Sequence, residues 1–211
     1  MPFDFKKEFK EYYLPPKKPT LVDMPAMNYV AVRGKGDPND PDGASQRALQ
    51  VLYSVAYTLK MSYMGGRAID GFFQYVVSPL EGFWFDAGEK GVDLSRKDKF
   101  EWISAIRLPD FVKRDDFDWA VETASTKKRL DCSSARFVTI DEGLCVQCTH
   151  VGSYDSETRT LELIDRFVRE SGCAFDFSEE RLHHEIYLSD PRKTAPDKLK
   201  TVLRTPVKKV E

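Results

Sequence analysis

The apolar residues of the chain recur at two different spacings, and these spacings predict the order of its elements. Apolar positions every three to four residues predict helices, and the regularity is clearest at Leu52, Val55 and Leu59. Alternating apolar and polar positions, rich in β-branched and aromatic residues, predict strands. The predicted helices cover residues 44–60, 97–107, 115–128 and 156–170. The predicted strands cover residues 27–33, 72–77, 81–85, 135–140, 144–149 and 183–188, and the fourth and fifth form a hairpin around residues 141–143.

The predicted elements follow a similar order twice, since each half of the chain has strands and one long helix. Residues 1–20 are charged and contain several prolines, and they predict an N-terminal arm that leads into the domain. Residues 21–211 predict a single α+β domain with helices on one sheet face. Its two modules comprise about residues 21–90 and 130–191, joined by a helical segment at 97–129. The two halves share no sequence identity, so the repeat is one of architecture.

The composition is typical of a globular protein, and it argues against two classes of partner. Of the 211 residues, 41% are hydrophobic and 31% are charged, with a formal net charge of -2. A chain without a basic excess lacks the face that grips a phosphate backbone, so we expect no direct nucleic acid binding. No apolar run approaches the roughly 20 residues that span a bilayer, and the first residues do not resemble a signal peptide. We therefore expect a cytoplasmic protein that does not bind membranes, while its oligomeric state stays open.

The cysteines predict neither a disulfide nor a metal site. In a cytoplasmic protein Cys132, Cys145, Cys148 and Cys173 are expected to be reduced thiols. Cys145 and Cys148 have the spacing of a metal or redox pair, but they lie in a predicted strand, where residues three apart point to opposite faces. One strand cannot present both sulfurs to one ion, so we expect no metal and no cofactor.

Two segments near the C-terminal end carry carboxylates where an apolar or neutral residue would be easier to bury. The first runs from His150 to Glu157 and the second from His184 to Pro191. In the first, Gly152 stands where a strand must turn sharply into a helix, a place for a residue free to adopt positive φ. Glu157 follows in the first helical turn, where the helix dipole favours an ionised carboxylate. The structural alternative is that Glu157 only stabilises the start of the helix.

The second segment predicts a carboxylate on the open face of a strand. Alternation places Glu185 and Tyr187 on one face of the strand and Ile186 and Leu188 on the other. The apolar pair suits a face packed under helices, so the opposite face would line a cleft. If the two strands share a sheet, Glu157 and Glu185 face one cavity, and paired acids in a cleft are typical of acid–base chemistry or of cation binding. The alternative is a solvent-facing or arginine-paired glutamate.

Aromatic residues are concentrated in the middle of the chain, at residues 72–85 and at Trp102. A pocket with apolar, aromatic walls and a few polar groups suits a flat aromatic ligand. A plain aromatic core explains most of these residues equally well. We predict that Trp84 and Trp102 are the two that contact ligand, because a strand and a helix bordering a cleft can both provide stacking walls.

The two C-terminal segments and several other runs of the chain resemble a known family. The pattern His150-x-Gly152-x-Tyr154, followed by the run at residues 184–191, resembles the GyrI-like small-molecule-binding family. That family includes the effector-binding domains of multidrug-responsive regulators. Residues 52–57, 79–84, 99–103 and 190–196 are similar to a stand-alone subgroup of the family, so the resemblance covers most of the chain.

The resemblance implies two β-α-β-β (SHS2-like) modules related by a pseudo-twofold axis, with a central ligand cleft lined by Tyr154 and Tyr187. The glutamate of the family's last strand corresponds to Glu185. Some stand-alone members are hydrolases that open the cyclopropane ring of DNA-alkylating cyclopropanoid toxins with paired glutamates, which here would be Glu157 and Glu185. The resemblance thus implies a detoxifying hydrolase acting on a small aromatic molecule. The alternatives are a non-catalytic protein that sequesters or senses drugs and, from the family name alone, an inhibitor of a DNA-modifying enzyme.

Overall fold

An antiparallel sheet of nine strands forms the centre of the computed structural model, which describes residues 1–85, 87–88, 91–92 and 100–210. The sheet strands are β1 (Thr20–Met24), β2 (Met27–Lys35), β3 (Leu80–Trp84), β6 (Glu101–Arg107), β7 (Arg136–Ile140), β8 (Gly143–Val151), β9 (Cys173–Phe175), β10 (His183–Tyr187) and β11 (Lys200–Lys209). Two further short strands, β4 (Ala87–Gly88) and β5 (Gly91–Val92), pair with each other. The helices are α1 (Phe5–Glu8), α2 (Lys10–Tyr13), α3 (Ala44–Lys60), α4 (Arg114–Lys128) and α5 (Thr158–Glu170). None of these helices is long and apolar enough to cross a membrane.

The long helices all pack on one face of the sheet, called here the helix face. Neighbouring strands follow the order β1-β8-β11-β10-β3-β6-β2-β7, with β9 beside β11. Helices α3 and α4 share an apolar cluster with β2 and β6, and α5 shares a second cluster with β8 and β11. The central strands β3 and β10 lie between these two clusters. The predicted α+β fold class is therefore confirmed, and its arrangement leaves the middle of the helix face open.

Helix α3 forms where its apolar spacing predicts it. The structure has α3 from Ala44 to Lys60, the predicted range, and the stripe of Leu52, Val55 and Leu59 is fully buried. Burying each of these side chains contributes about 1.5–3 kcal/mol, which fixes the helix against the sheet. The predicted helix at 156–170 and strand at 183–188 are also confirmed, as α5 and β10.

The predicted helix at 97–107 is wrong where the structure describes it. Residues Glu101–Arg107 form strand β6, paired with β2 on one side and β3 on the other. Apolar residues at 102, 103 and 106 fit either a helix or a strand, since a short apolar run does not separate the two periods. Trp102 and Ile106 point to the helix face and Ala105 to the other, which is strand alternation. Residues 97–99 lie outside the described part of the chain.

Two predictions about strands are also wrong. Residues 72–77, all of them described, run as an irregular segment in which Tyr75 makes an isolated bridge to Phe3. Their aromatic side chains pack against the N-terminal residues rather than alternating across a sheet. Strands β7 and β8 exist, but β7 pairs with β2 while β8 pairs with β1 and β11, so they form no hairpin. Turn residues constrain only the local backbone, whereas burial of both faces decides which strands pair.

The N-terminal residues predicted as an arm are packed against the sheet face opposite the long helices, called here the reverse face. Phe5 and Tyr13, from α1 and α2, are 3% and 1% exposed. The rings of Phe5 and Phe9 lie 4.8 and 4.7 Å from the guanidinium of Arg107, which ends strand β6. This cation–π contact and the buried aromatic rings hold the N-terminal segment in place.

Four buried charged side chains hold the central strands together on the reverse face. His184 Nδ1 lies 3.0 Å from Glu142 Oε1, and its Nε2 lies 2.9 Å from Glu81 Oε2 as an ion pair without hydrogen-bond alignment. Arg204 Nη1 donates to Glu142 Oε2 at 2.9 Å. Burial alone would lower the pKa of His184 and raise that of Glu142. The carboxyls of Glu142 and Glu81 instead raise the pKa of His184, and His184 and Arg204 lower that of Glu142 to about 2. These ion pairs therefore favour the charged form of both groups.

Candidate functional site

A cleft of about 1710 Å³ opens on the helix face, over the two central strands. Its floor is formed by β3, β6 and β10, and its walls by α3 and by the start of α5. A volume above the range of about 300–1,000 Å³ common for small-ligand sites suits a large, polycyclic molecule. All six residues predicted to act or bind here line this cleft: Trp84, Trp102, Tyr154, Glu157, Glu185 and Tyr187.

Glu185 lies on strand β10 and lines the floor of the cleft. Its face is the predicted one, because His183, Glu185 and Tyr187 all line the cleft. Tyr187 Oη donates a hydrogen bond of 2.7 Å to Glu185 Oε2, and His183 Nε2 lies 3.5 Å from Glu185 Oε1. Both carboxyl oxygens of Glu185 therefore have a polar neighbour, which orients the group within the cleft.

Glu157 enters the cleft from the start of α5 and is held in a different environment. It is 9% exposed, its side chain makes no capping hydrogen bond, and its Oε1 has no partner among the described residues. Burial, and after it the negative charge of Glu185, raises the pKa of Glu157 to about 10. The expectation that the helix start keeps Glu157 ionised is therefore wrong, because desolvation and the second carboxylate outweigh the helix dipole.

The two carboxyl groups thus occupy one cleft in different surroundings, and the raised pKa of Glu157 favours its protonated form. Environments that differ in this way allow one site to hold a proton donor and a proton acceptor. Tyr154 and Tyr187 close the space around them, with ring centroids 5.8 Å apart in an edge-to-face contact. Burial, followed by the Glu157 and Glu185 carboxyls once they are ionised, raises the pKa of Tyr154 to about 12, so this phenol stays protonated at neutral pH.

The two predicted tryptophans face each other on neighbouring strands but differ in their surroundings. Trp102 lies on β6 rather than on a helix, is 2% exposed and packs its ring against Gly34. Its indole Nε1 donates to the Gly36 carbonyl at 3.3 Å, which fixes the ring as part of the floor. Trp84 is half-buried and meets only the edge of Phe100 among the ring contacts of the described residues. Trp84 is therefore the tryptophan with surface available to a ligand.

Gly82 is a part of the site that sequence reasoning did not find. It pairs with Glu185 across the β3–β10 ladder, directly below the cleft. A Cβ at this position would lie 2.9 Å from Tyr187 Oη and 3.2 Å from Trp84 Nε1, so glycine lets these two side chains approach the floor. A single glycine inside a predicted strand carries no sequence signal for this role, because the contact depends on pairing with a distant strand.

Thr201, also missed from sequence, lies on β11 beside Glu157. Its buried hydroxyl has no hydrogen-bond partner among the described residues. Its place beside Glu157 cannot be predicted from a local sequence pattern, because it depends on the β10–β11 register, in which Thr201 pairs with Tyr187.

The described residues contain no group of three or more side chains placed to hold a metal ion. All four cysteines are unpaired and buried. Cys145 belongs to the apolar cluster of the reverse face and Cys148 to the cluster under α5, so the predicted divergence of these two side chains is confirmed.

Comparison with known proteins places this cleft in a family context. A family model described as GyrI-like small molecule binding domain matches residues 17–208. Among curated protein sequences, no significant match is found. A solved hydrolase from Listeria innocua is 45% identical, covers 98% of this chain and 100% of its own, and superposes with a TM-score of 0.88. A conserved, uncharacterised protein from the same organism is 46% identical over the same shares, with a TM-score of 0.91. The C-terminal domain of EcmrR, 16% identical over 92% of this chain and 98% of its own with a TM-score of 0.56, shares the fold.

Proposed function

The chain belongs to the GyrI-like small molecule binding domain family, and we propose that its cleft binds flat aromatic molecules and hydrolyses a strained, electrophilic ring in them. The ligand class we infer is the DNA-alkylating cyclopropanoids, whose cyclopropane is conjugated to a carbonyl. The protein would thereby detoxify such compounds in the cytoplasm.

The observation that carries this proposal is the pair of glutamates that share one cleft in unlike surroundings. Glu157 is buried with one carboxyl oxygen lacking a partner among the described residues, and burial raises its pKa to about 10, whereas Glu185 accepts a hydrogen bond from the phenol of Tyr187. We infer that Glu157 is the proton donor and Glu185 the proton acceptor. A protein that only captured a cation would have no use for a buried neutral acid beside its anion, since burial of a carboxyl without a partner is unfavourable. A hydrolase uses both groups.

The arrangement supports a single concerted addition of water. Glu185 accepts a proton from a water molecule whose oxygen bonds to the cyclopropane methylene carbon. The carbon–carbon bond of the ring breaks, and its electron pair moves into the conjugated carbonyl. The carbonyl oxygen takes the proton of Glu157 and becomes a phenol as the ring aromatises. Transfer of a proton from Glu185 back to Glu157 restores the site, and the net change is the addition of one water.

Positioning supplies much of the rate, because ring strain already favours the products. Trp84 and the cleft walls would stack on the aromatic body of the ligand, and Glu157 and Glu185 would flank the reacting carbon. The 45% identical Listeria innocua protein is a hydrolase, which supports hydrolysis as the reaction type.

The test is incubation of the protein with a cyclopropanoid alkylator, followed by mass analysis of the small molecule. We expect catalytic conversion to a product heavier by one water, and Glu185→Gln, which keeps the side-chain shape, should abolish it. Recovery of unchanged ligand after many protein equivalents would contradict the proposal.

A second candidate function is non-catalytic binding of aromatic cations for sequestration or sensing. It is favoured by the position of the Glu185 carboxyl beside aromatic residues of the cleft. The two functions separate at Glu157, because a binder requires only the anion. If Glu157→Gln left both ligand affinity and ligand chemistry unchanged while Glu185→Gln abolished binding, the binding function would stand.

A further inference from the structure

His150 contacts the chain on both sides of Glu157 but lies behind the cleft wall rather than on it. Its ring is 5% exposed, with Nε2 at 3.1 Å from the Ser153 carbonyl oxygen and Nδ1 at 2.8 Å from Thr160 Oγ1. Ser153 precedes Glu157 in the turn after β8, and Thr160 follows it in the first turn of α5. The imidazole therefore joins the two ends of the segment that carries Glu157.

The two ring nitrogens of His150 have different partners. Nδ1 meets Thr160 Oγ1, while Nε2 lies beside the Ser153 carbonyl oxygen and 3.2 Å from Ser156 Oγ, which itself donates to that carbonyl at 2.6 Å. With the hydrogen on Nε2, the ring donates to the Ser153 carbonyl and Nδ1 accepts from the hydroxyl of Thr160. Gly152 makes room for this contact: its φ is +148°, and a Cβ there would lie 3.1 Å from His150 Nε2 and 2.6 Å from Ser156 Oγ. The three groups form a closed hydrogen-bonded bracket around the turn.

Glu157 requires such a bracket because burial and the neighbouring carboxyls disfavour its charged form. Glu185 from β10 and Asp155 from its own turn raise its pKa, while the hydroxyl of Thr201 from β11 acts in the opposite direction but more weakly than burial. Tyr154 and Tyr187 lie beside the same carboxyls, and none of these groups is a cation. A carboxyl in this setting gains free energy by rotating into water, unless the backbone that carries it is fixed.

We propose that His150 is a positioning residue, which through Ser153 and Thr160 fixes the turn after β8 so that the Glu157 carboxyl stays inside the cleft. Its catalytic consequence rests on the proposed hydrolase function, since only a hydrolase depends on Glu157 as an acid. Its structural consequence can be measured without any ligand.

The measurement is a pH titration of the Glu157 carboxyl by carbon NMR, on protein labelled at the glutamate carboxyl carbons. Loss of the signal in Glu157→Gln assigns it, and in the wild type it should titrate near pH 10. Thr160→Val removes one hydroxyl with little change in shape, and Thr160→Ser keeps it. We expect the valine variant to titrate at least one pH unit lower, a tenfold loss of proton affinity, and the serine variant to match the wild type.

His150→Leu should move the Glu157 titration further in the same direction, because both hydrogen bonds are lost. If His150 serves only the stability of the fold, the variant should have a lower melting temperature while the Glu157 carboxyl titrates at the same pH as in the wild type. The proposal is overturned if the Glu157 carboxyl of Thr160→Val, or of a folded His150→Leu, titrates at the same pH as in the wild type. If His150→Leu does not fold, the comparison of Thr160→Val with Thr160→Ser decides alone.

If the protein turns over ligand, the alkaline limb of the kcat/KM profile should shift together with the Glu157 titration in Thr160→Val and not in Thr160→Ser. A shifted titration in a protein without turnover would refute the hydrolase while leaving this positioning role intact.

Discussion

Glu157→Gln should make the protein more stable at neutral pH, although it removes a side chain from the start of a helix. The buried carboxyl is neutral in the folded protein up to about pH 10, whereas in the unfolded chain it ionises near its ordinary value of 4.5. The folded state therefore binds one more proton between these two pH values, and stability falls as pH rises through that window. A glutamine stays neutral in both states, so this loss disappears.

The magnitude follows from the distance between pH 4.5 and the working pH. The unfavourable contribution grows by about 1.4 kcal/mol per pH unit, so it is close to zero near pH 4.5 and reaches at most about 3–4 kcal/mol at pH 7. A helix-capping role predicts the opposite sign, a loss of about 1 kcal/mol on substitution. The structure favours the first outcome because Glu157 makes no capping hydrogen bond.

The assay is urea denaturation of wild type and Glu157→Gln at pH 5, 7 and 9. We expect the free energy of unfolding of the variant to exceed that of the wild type by an amount that increases with pH. Asp155→Asn is the matched control, because Asp155 is exposed in the same turn and should change stability by less than about 0.5 kcal/mol at each pH. A variant less stable than the wild type by the same amount at all three pH values would refute the argument and leave Glu157 as a helix-start residue.

Three further outcomes are expected. Glu185→Gln should keep the fold but lower turnover by about 10²-fold or more, and a melting curve beside the rate measurement would expose a merely structural effect. Trp84→Ala should weaken binding of a flat aromatic ligand by about 1–2 kcal/mol in a fluorescence titration, at unchanged stability. Trp102→Ala should instead lower the free energy of unfolding by about 3–5 kcal/mol. The reverse pattern would make Trp102 the ligand contact and Trp84 the core residue. Glu142→Gln should destabilise the protein by about 3–5 kcal/mol at pH 7, since it leaves buried Arg204 unpaired. Because the pKa of Glu142 is about 2, its contribution is present above about pH 4.5 and is lost as pH falls towards 2, so a variant that kept the wild-type acid transition would contradict this.

Local patterns in the sequence predicted the elements that carry the site. The stripe of α3 and the alternation of β10 depend on residues close together in the chain, so Leu52 and Glu185 could be placed on the correct faces. The motif around Gly152 located the turn that leads to Glu157. Together these local features predict that both glutamates face one cleft.

The remaining features depend on contacts between distant residues. The sequence at residues 97–107 predicts a helix because its short apolar run satisfies both periods, whereas the strand character of β6 comes from pairing with β2 and β3. The roles of Gly82 and Thr201 follow from strand register across the sheet. The protonation of Glu157 depends on burial and on a charge 28 positions further along the chain, at Glu185, which no local rule for helix starts includes.

The most direct test of the central claim is product analysis after incubation of the protein with a cyclopropanoid alkylator in isotopically labelled water. If Glu157 and Glu185 act as acid and base, the product should contain one labelled oxygen at the former ring carbon, and the protein should be recovered unmodified after many turnovers. Unchanged ligand bound in the cleft, or a covalent adduct on Glu185 without labelled product, would contradict the claim.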